Sequence, residues 1–201
     1  MSAVRLAGVL AFALAVVVLV DDRAETQRRP LTGRLLVATD GLRDPRFVRT
    51  VIYIVRHDHT GAFGLVVNVP MGEVSFEQAL RPFGLDVPLG GVNLPVYYGG
   101  PVDGRRGFLL HTPEWTDTDT LVVDGSFALT EDPRALQAMA RGAGPRRALF
   151  FLGHAAWAPG QLDAELTTGA WAVARADERL VFDEDPKQKW IEAMTRRILG
   201  F

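Results

Sequence analysis

The 201-residue chain contains no cysteine. That excludes disulfides, thiolate metal sites, cysteine nucleophiles and lipid attachment through a cysteine. It leaves the redox compartment open, because a domain of this size buries a core without covalent staples. Serine is nearly as scarce: Ser2, Ser75 and Ser126 are the only ones, and none stands in a Gly-x-Ser-x-Gly elbow. Hydrolysis by a serine nucleophile therefore has no sequence support. Neither Gly-x-Gly-x-x-Gly nor Gly-x-x-x-x-Gly-Lys-Ser/Thr occurs, so the two familiar phosphate-cradling loops are missing as well.

An excess of one charge is also absent. Lysine and arginine number 22 against 24 acids, a formal charge of −2. Residues 1–30 hold four arginines and three acids, so the remainder has 18 basic and 21 acidic side chains, a charge of −3. A mildly acidic domain is poorly suited to neutralising phosphates. No basic helix or helix-turn-helix pattern is present, and the nearest basic clusters are Arg105-Arg106 and Arg146-Arg147. Direct nucleic-acid binding is not expected.

No apolar run reaches the roughly 20 residues that span a bilayer. The longest, Leu6 to Val20, is 15 residues, with Arg5 before it and Asp21-Asp22-Arg23 after it. This is the form of a signal-peptide core, yet no small-x-small cleavage signal follows the run. Three readings stay open: export, retention as a short membrane anchor through residues 6–20, or an over-extended start with the protein beginning near Leu31. The first two place the domain in the envelope and the third in the cytoplasm. Residues 21–31 are polar, unpatterned and contain Pro30, as a linker would.

What is there is an ordinary folded composition, 48% apolar and 23% charged. Strands are expected at 34–38, 50–56, 62–69, 96–98, 108–111, 121–123, 127–129, 148–152 and 170–174, where β-branched, aromatic and apolar residues alternate or run together. His57-Asp58-His59-Thr60-Gly61 makes a hairpin turn. Ser75-Phe76-Glu77-Gln78 is a capping box opening a short helix that ends at Gly84. Asp132-Pro133 opens a helix with Leu136, Met139 and Ala140 on one face, stopped by Gly142. Residues 159–168 form another helix, and Asp185-Pro186 starts a last one carrying Trp190, Ile191, Met194 and Ile198. Strands in adjacent groups with scattered helices indicate an α+β fold. One domain, residues 32–201, follows the N-terminal segment and linker of residues 1–31.

Three clusters could carry chemistry. His57 and His59 would share a face on an extended segment, but no third ligand stands at a recognisable spacing and no metal is expected. Gly99 to Gly107 is glycine-rich and carries Arg105 and Arg106; it joins two strands rather than opening a helix, as a tight connection needing positive φ would. The third cluster runs from Phe151 to Leu166. A strand ends at Gly153, Trp157 follows, and a helix presents Gln161 and Glu165 on one face. Either a ligand lies between Trp157 and those polar groups, or the indole packs as core and the pair anchors the loop beside Trp171.

Taken in order, Gly33…Leu35-Leu36, Phe47…Val51, Gly61-Ala62-x-Gly64-x-Val66-x-Asn68-x-Pro70, Gly99-Gly100-Pro101-Val102, Leu109-x-His111, Gly153-x-x-x-Trp157-x-x-Gly160-Gln161-Leu162-x-x-Glu165-Leu166-x-x-Gly169-x-Trp171, Phe182 and Trp190 resemble the AlgH/YqgE family of bacterial proteins. The resemblance spans about residues 32–201. It implies a single α+β domain whose mostly antiparallel, bifurcated sheet forms a pseudo-barrel with peripheral helices. Two departures stand out: family members begin near Leu31, and a basic residue is common where this chain has Val69. The resemblance carries a transcriptional-regulator label and no catalytic or cofactor residues. It implies a non-enzymatic regulatory or interaction protein, acting indirectly on transcription through a protein partner and needing no cofactor. The alternative is a small-ligand or weakly enzymatic domain with Arg105, Trp157, Gln161 and Glu165 around its site.

Overall fold

In strand β1 (Arg34–Ala38), Leu35 and Val37 enter one core while Leu36 and Ala38 enter another. Strand β2 (Val51–Asp58) divides in the same way, with Val51, Tyr53 and Val55 on one side and Ile52 and Ile54 on the other. A strand buried on both faces needs apolar side chains at every position, which is why these segments read as unbroken apolar runs. The computed structural model describes residues 31–85 and 93–199. The apolar segment and most of the linker, residues 1–30, lie outside the described residues, whereas Leu31 is already buried in the second core.

After β1 and β2 come β3 (Gly61–Val66), β4 (Pro70–Ser75), α1 (Phe76–Leu80), β5 (Asn93–Tyr98), β6 (Val102–His111), β7 (Leu121–Val122) and β8 (Ala128–Thr130). Then follow α2 (Arg134–Ala140), β9 (Ala148–Trp157), α3 (Gln161–Thr167), β10 (Trp171–Arg175) and α4 (Pro186–Thr195). The helix ends are made as the sequence indicates. At α1, Gln78 N–H donates to Ser75 Oγ while Ser75 N–H donates to Gln78 Oε1. A 3-10 turn over Arg81–Phe83 then closes at Gly84, φ 65°. Asp185 accepts from Lys187 N–H to cap α4.

The sheet runs β10-β1-β2-β3-β9-β6-β8-β7, with the β4–β5 pair attached to β9 as a branch. Every pairing is antiparallel except β5 with β9. Strand β9 is the fork. Along one edge, residues 150–152 pair with β5 and residues 155–157 with β3, while β6 lies along the other edge. The sheet is also curled, because Leu35 of β1 and Leu129 of β8 meet in one core although four strands lie between β1 and β8 in its order. Tyr53 and Phe127 touch across that interior with ring centroids 4.6 Å apart. The result is a bifurcated, half-barrel α+β fold with its helices outside.

Four features differ from the sequence reading. Strand β9 does not end at Gly153 but continues to Trp157, because Gly153 adopts φ 73° and lets the strand kink without stopping. Residues 102–107 belong to β6, bulged against β9. The α4 face that packs inward holds Lys189, Trp190, Ala193 and Met194; Ile191 is exposed and Ile198 lies beyond the helix. Strand β4, polar and mostly exposed, carries no apolar alternation to reveal it.

Lys189 is 1% exposed. Its ammonium donates to the carbonyls of Val67, at 3.0 Å, and Val181, at 2.5 Å, and lies 5.7 Å from the centroid of the Tyr97 ring. It thereby ties α4 to the end of β3 and to the π-helical turn Arg179–Asp183. Burial pushes its pKa down to about 8, against the opposing pull of Glu184, Asp183 and Asp185. The unfolded chain holds this proton up to about pH 10.4. Between those values the unfolded state binds more protons, so the stability owed to Lys189 is full above the unfolded pKa and is lost as pH falls through 8. Urea unfolding of the protein and of Lys189→Met should therefore diverge in favour of the protein from pH 8 to pH 10, by on the order of 2 kcal/mol. A constant difference would contradict this.

Candidate functional site

Helix α3 follows β9 through Gly160, whose φ of 73° turns the chain out of the sheet. Its i, i+4 spacing brings Gln161 and Glu165 together, and Gln161 Nε2 donates to Glu165 Oε1 at 2.9 Å. The amide oxygen of Gln161 accepts from Ala158 N–H at 3.1 Å. The other carboxylate oxygen of Glu165 accepts from two indoles, Trp157 at 3.0 Å and Trp171 at 2.7 Å. Those indoles are both buried and meet edge to face, 6.1 Å apart at 79°. Every polar side-chain atom of Trp157, Gln161 and Glu165 is thus engaged within the cluster. A charge-assisted bond to a carboxylate contributes roughly 1.5–3 kcal/mol, so this cluster fastens α3 and β10 to the end of β9.

Arg105 stands apart from these three. It is an exposed residue of the bulged part of β6, and its side chain makes no hydrogen bond or ion pair among the described residues. The structure therefore brings together three of the four residues singled out from the sequence and leaves Arg105 outside.

Strand β9, where it lies against the glycine-rich connection, carries a group that sequence reasoning missed. His154, 7% exposed, stacks on Phe63 with centroids 4.7 Å apart and meets the edge of Phe108. Its Nδ1 is buried without a hydrogen-bond partner among the described residues. Burial lowers its pKa; Asp103 and Glu131 act to raise it and Arg106 to lower it. Asp103 adopts φ 49°, uncommon for a residue with a side chain. A histidine one residue beyond a strand glycine gives no sequence hint of such burial.

His111 is also fully buried. Its Nδ1 donates to the Thr112 carbonyl at 3.0 Å, and its Nε2 accepts from Thr130 Oγ1 at 2.9 Å. Burial lowers its pKa too, which favours the neutral ring that this pair of bonds requires. At the β2–β3 hairpin, His57 Nε2 faces Asp163 of α3 at 3.6 Å, and His59 is exposed. Among the described residues no group of three or more histidines and acids stands close enough to hold a metal ion.

Fold and site together define a small α+β protein with a forked, curled sheet, whose most prominent polar cluster is closed on itself by hydrogen bonds. The chain belongs to the AlgH-like family, whose model matches residues 35–199. It is 42% identical over 175 residues to a UPF0301 protein of Jannaschia sp. (strain CCS1), covering 85% of this chain and 89% of that one. It is 44% identical over 168 residues to a UPF0301 protein of Caulobacter vibrioides, covering 83% and 86%. The solution structure of AlgH from Pseudomonas aeruginosa aligns with a TM-score of 0.73 at 37% identity, over 86% of this chain and 90% of that one. A protein of Corynebacterium diphtheriae, 24% identical with a TM-score of 0.65, shares the fold.

Replacing Glu165 tests the cluster. Glu165→Gln keeps one acceptor but turns an amide N–H₂ towards donors, so we expect a loss of about 2–4 kcal/mol by urea unfolding. Tryptophan emission should shift to the red as the indoles of Trp157 and Trp171 lose their shared partner. Unchanged stability would mean that Glu165 is not a structural clamp.

Proposed function

We propose that the protein is a non-enzymatic interaction protein, which acts on transcription indirectly through a protein partner. The observation carrying this reading is the Glu165 cluster: residues chemically suited to hold a small ligand hold one another instead. The acidic charge of the domain supports the indirect route, since direct DNA binding draws on a basic surface. The ligand-binding alternative around Arg105, Trp157, Gln161 and Glu165 keeps only Arg105 with an unengaged polar head.

Attachment to a membrane through residues 6–20 belongs to the same reading. No described helix is long and apolar enough to cross a membrane, and residues 6–20 lie outside the described residues.

Transcripts compared with and without the gene, alongside in vitro selection of random duplex DNA on the purified protein, test the indirect route. The expected outcome is a changed transcript set with no sequence enriched on the protein. Enrichment of a defined DNA sequence would overturn it.

A further inference from the structure

Where β6 bulges against β9, three polar groups are left unbonded. Val102 stands opposite His154 and Gly107 opposite Leu152, so residues 103–106 of β6 face Gly153 alone. Residues 102–106 are all exposed. Asp103, within the bulge, takes φ 49°. That region is uncommon for a residue with a side chain, and such strained positions gather at switch segments. Neither the Asp103 carboxylate nor the Arg105 guanidinium makes a hydrogen bond or ion pair among the described residues. The third group is the buried Nδ1 of His154.

Rings rather than hydrogen bonds hold His154 in place. Phe63 of β3 stacks on the imidazole at 30°, and Phe108 of β6 meets it edge-on at 74°. No described group bonds either ring nitrogen. Of the charged groups acting on the ring, β6 contributes Asp103 and Arg106, and the residue after β8 contributes Glu131. Strand β3 carries no charged side chain. Burial holds the ring below its ordinary pKa; Asp103 and Glu131 pull it up and Arg106 pushes it down.

A proton on this ring changes what it needs. Both nitrogens then carry N–H, and a buried cation without an acceptor costs more than the single orphan of the neutral ring. Of the two carboxylates that act on it, Glu131 is already bound: Nε and Nη2 of Arg106 lie 2.7 and 2.6 Å from Glu131 Oε2. Asp103 is unbound. A β-carbon placed on its neighbour Gly104 would meet nothing within 4 Å, so the bulge has room to move.

We propose that Asp103 and His154 form an acid-operated latch: when His154 takes a proton, the Asp103 carboxylate closes on the imidazolium and the 102–107 bulge changes conformation, carrying the exposed Arg105 with it. One proton is taken from solvent and one ion pair forms, while Glu131 stays with Arg106. The latch stands independently of the partner reading above. It makes the exposed surface of the bulge depend on pH.

NMR of the histidine rings and backbone amides of the full chain, from about pH 8 to about pH 4, tests the latch. His154 should titrate with a midpoint below the ordinary histidine value of about 6.5, and the amides of residues 103–107 should shift with that same midpoint. The N–H to Hα coupling of Asp103, which reads φ, should change with them. Asp103→Asn removes a carboxylate that favours the charged ring, so it should lower the His154 midpoint and abolish the shared amide shifts. His154→Phe keeps the ring stack and should leave the bulge amides without that transition, with melting temperature at pH 8 confirming the fold. If His154→Phe does not fold, Asp103→Asn, at an exposed position, carries the test. Four results would each overturn the proposal: a ring that stays neutral to pH 4, an Asp103 coupling that ignores the ring's titration, bulge amides that titrate alike in His154→Phe, or a midpoint that Asp103→Asn leaves in place.

Discussion

At Gly99 a β-carbon would stand 2.0 Å from the carbonyl oxygen of Gly153, and at Gly100 one would stand 2.2 Å from the carbonyl carbon of His154. A β-carbon on Gly153 would in turn approach the Gly100 carbonyl oxygen to 2.5 Å. No side chain fits between these two segments, so backbone lies directly on backbone. The contact falls where the sheet divides. Gly99 N–H donates to Leu152 of β9 and Gly99 C=O accepts from Val66 of β3, both at 2.9 Å. One residue thus satisfies peptide groups of two diverging strands that would otherwise be buried without partners. The fork depends on that stitch.

From this point the rest of the molecule follows. Because Gly153 takes φ 73°, β9 bends at the fork and goes on for four residues, pairing with β3 and delivering Trp157 to the second core. Trp157 then meets Trp171 of β10, and the single carboxylate of Glu165 bonds both indoles. Glu165 therefore serves the far end of the same strand that the glycines place. On the other face, Lys189 joins α4 to Val67, just beyond the end of β3. A glycine crossing, a carboxylate between two indoles and a buried ammonium on backbone carbonyls hold the forked sheet at three points. Each puts polar atoms where only a particular partner can satisfy them.

Much of the fold was legible because its signals are local. The Ser75–Gln78 capping box, the Asp185 cap and the apolar runs of β1 and β2 depend on neighbours in sequence, and the structure shows each of them. The α+β class follows from strands in adjacent groups with scattered helices, and the bifurcated sheet from the ordered family resemblance. What local patterns did not reveal depends on contacts across the sheet. Gly153 looked like a strand end, since a glycine after an apolar run usually marks one; the backbone of Gly100 pressing on it makes it a bend. Lys189 sits at helical spacing from Ala193 on the buried face of α4, but its burial requires carbonyls contributed by two other parts of the chain. Within the candidate site, the pairing of Gln161 with Glu165 was visible from helical spacing, and Trp157 from its place just ahead of that helix. The second indole on Glu165, and the separation of Arg105, come from how β9, β10 and β6 are arranged.

The most direct measurement is equilibrium unfolding of Gly99→Ala beside Gly104→Ala. Neither position has a positive φ that would strain alanine, and a β-carbon at Gly104 would meet nothing within 4 Å. The two substitutions therefore differ in space alone. If the glycine contact holds the fork, Gly104→Ala stays within roughly 1 kcal/mol of the protein. Gly99→Ala then loses at least about 3 kcal/mol, or fails to fold under conditions where Gly104→Ala folds. Equal stability of the two variants would contradict the contact as the element on which the sheet depends.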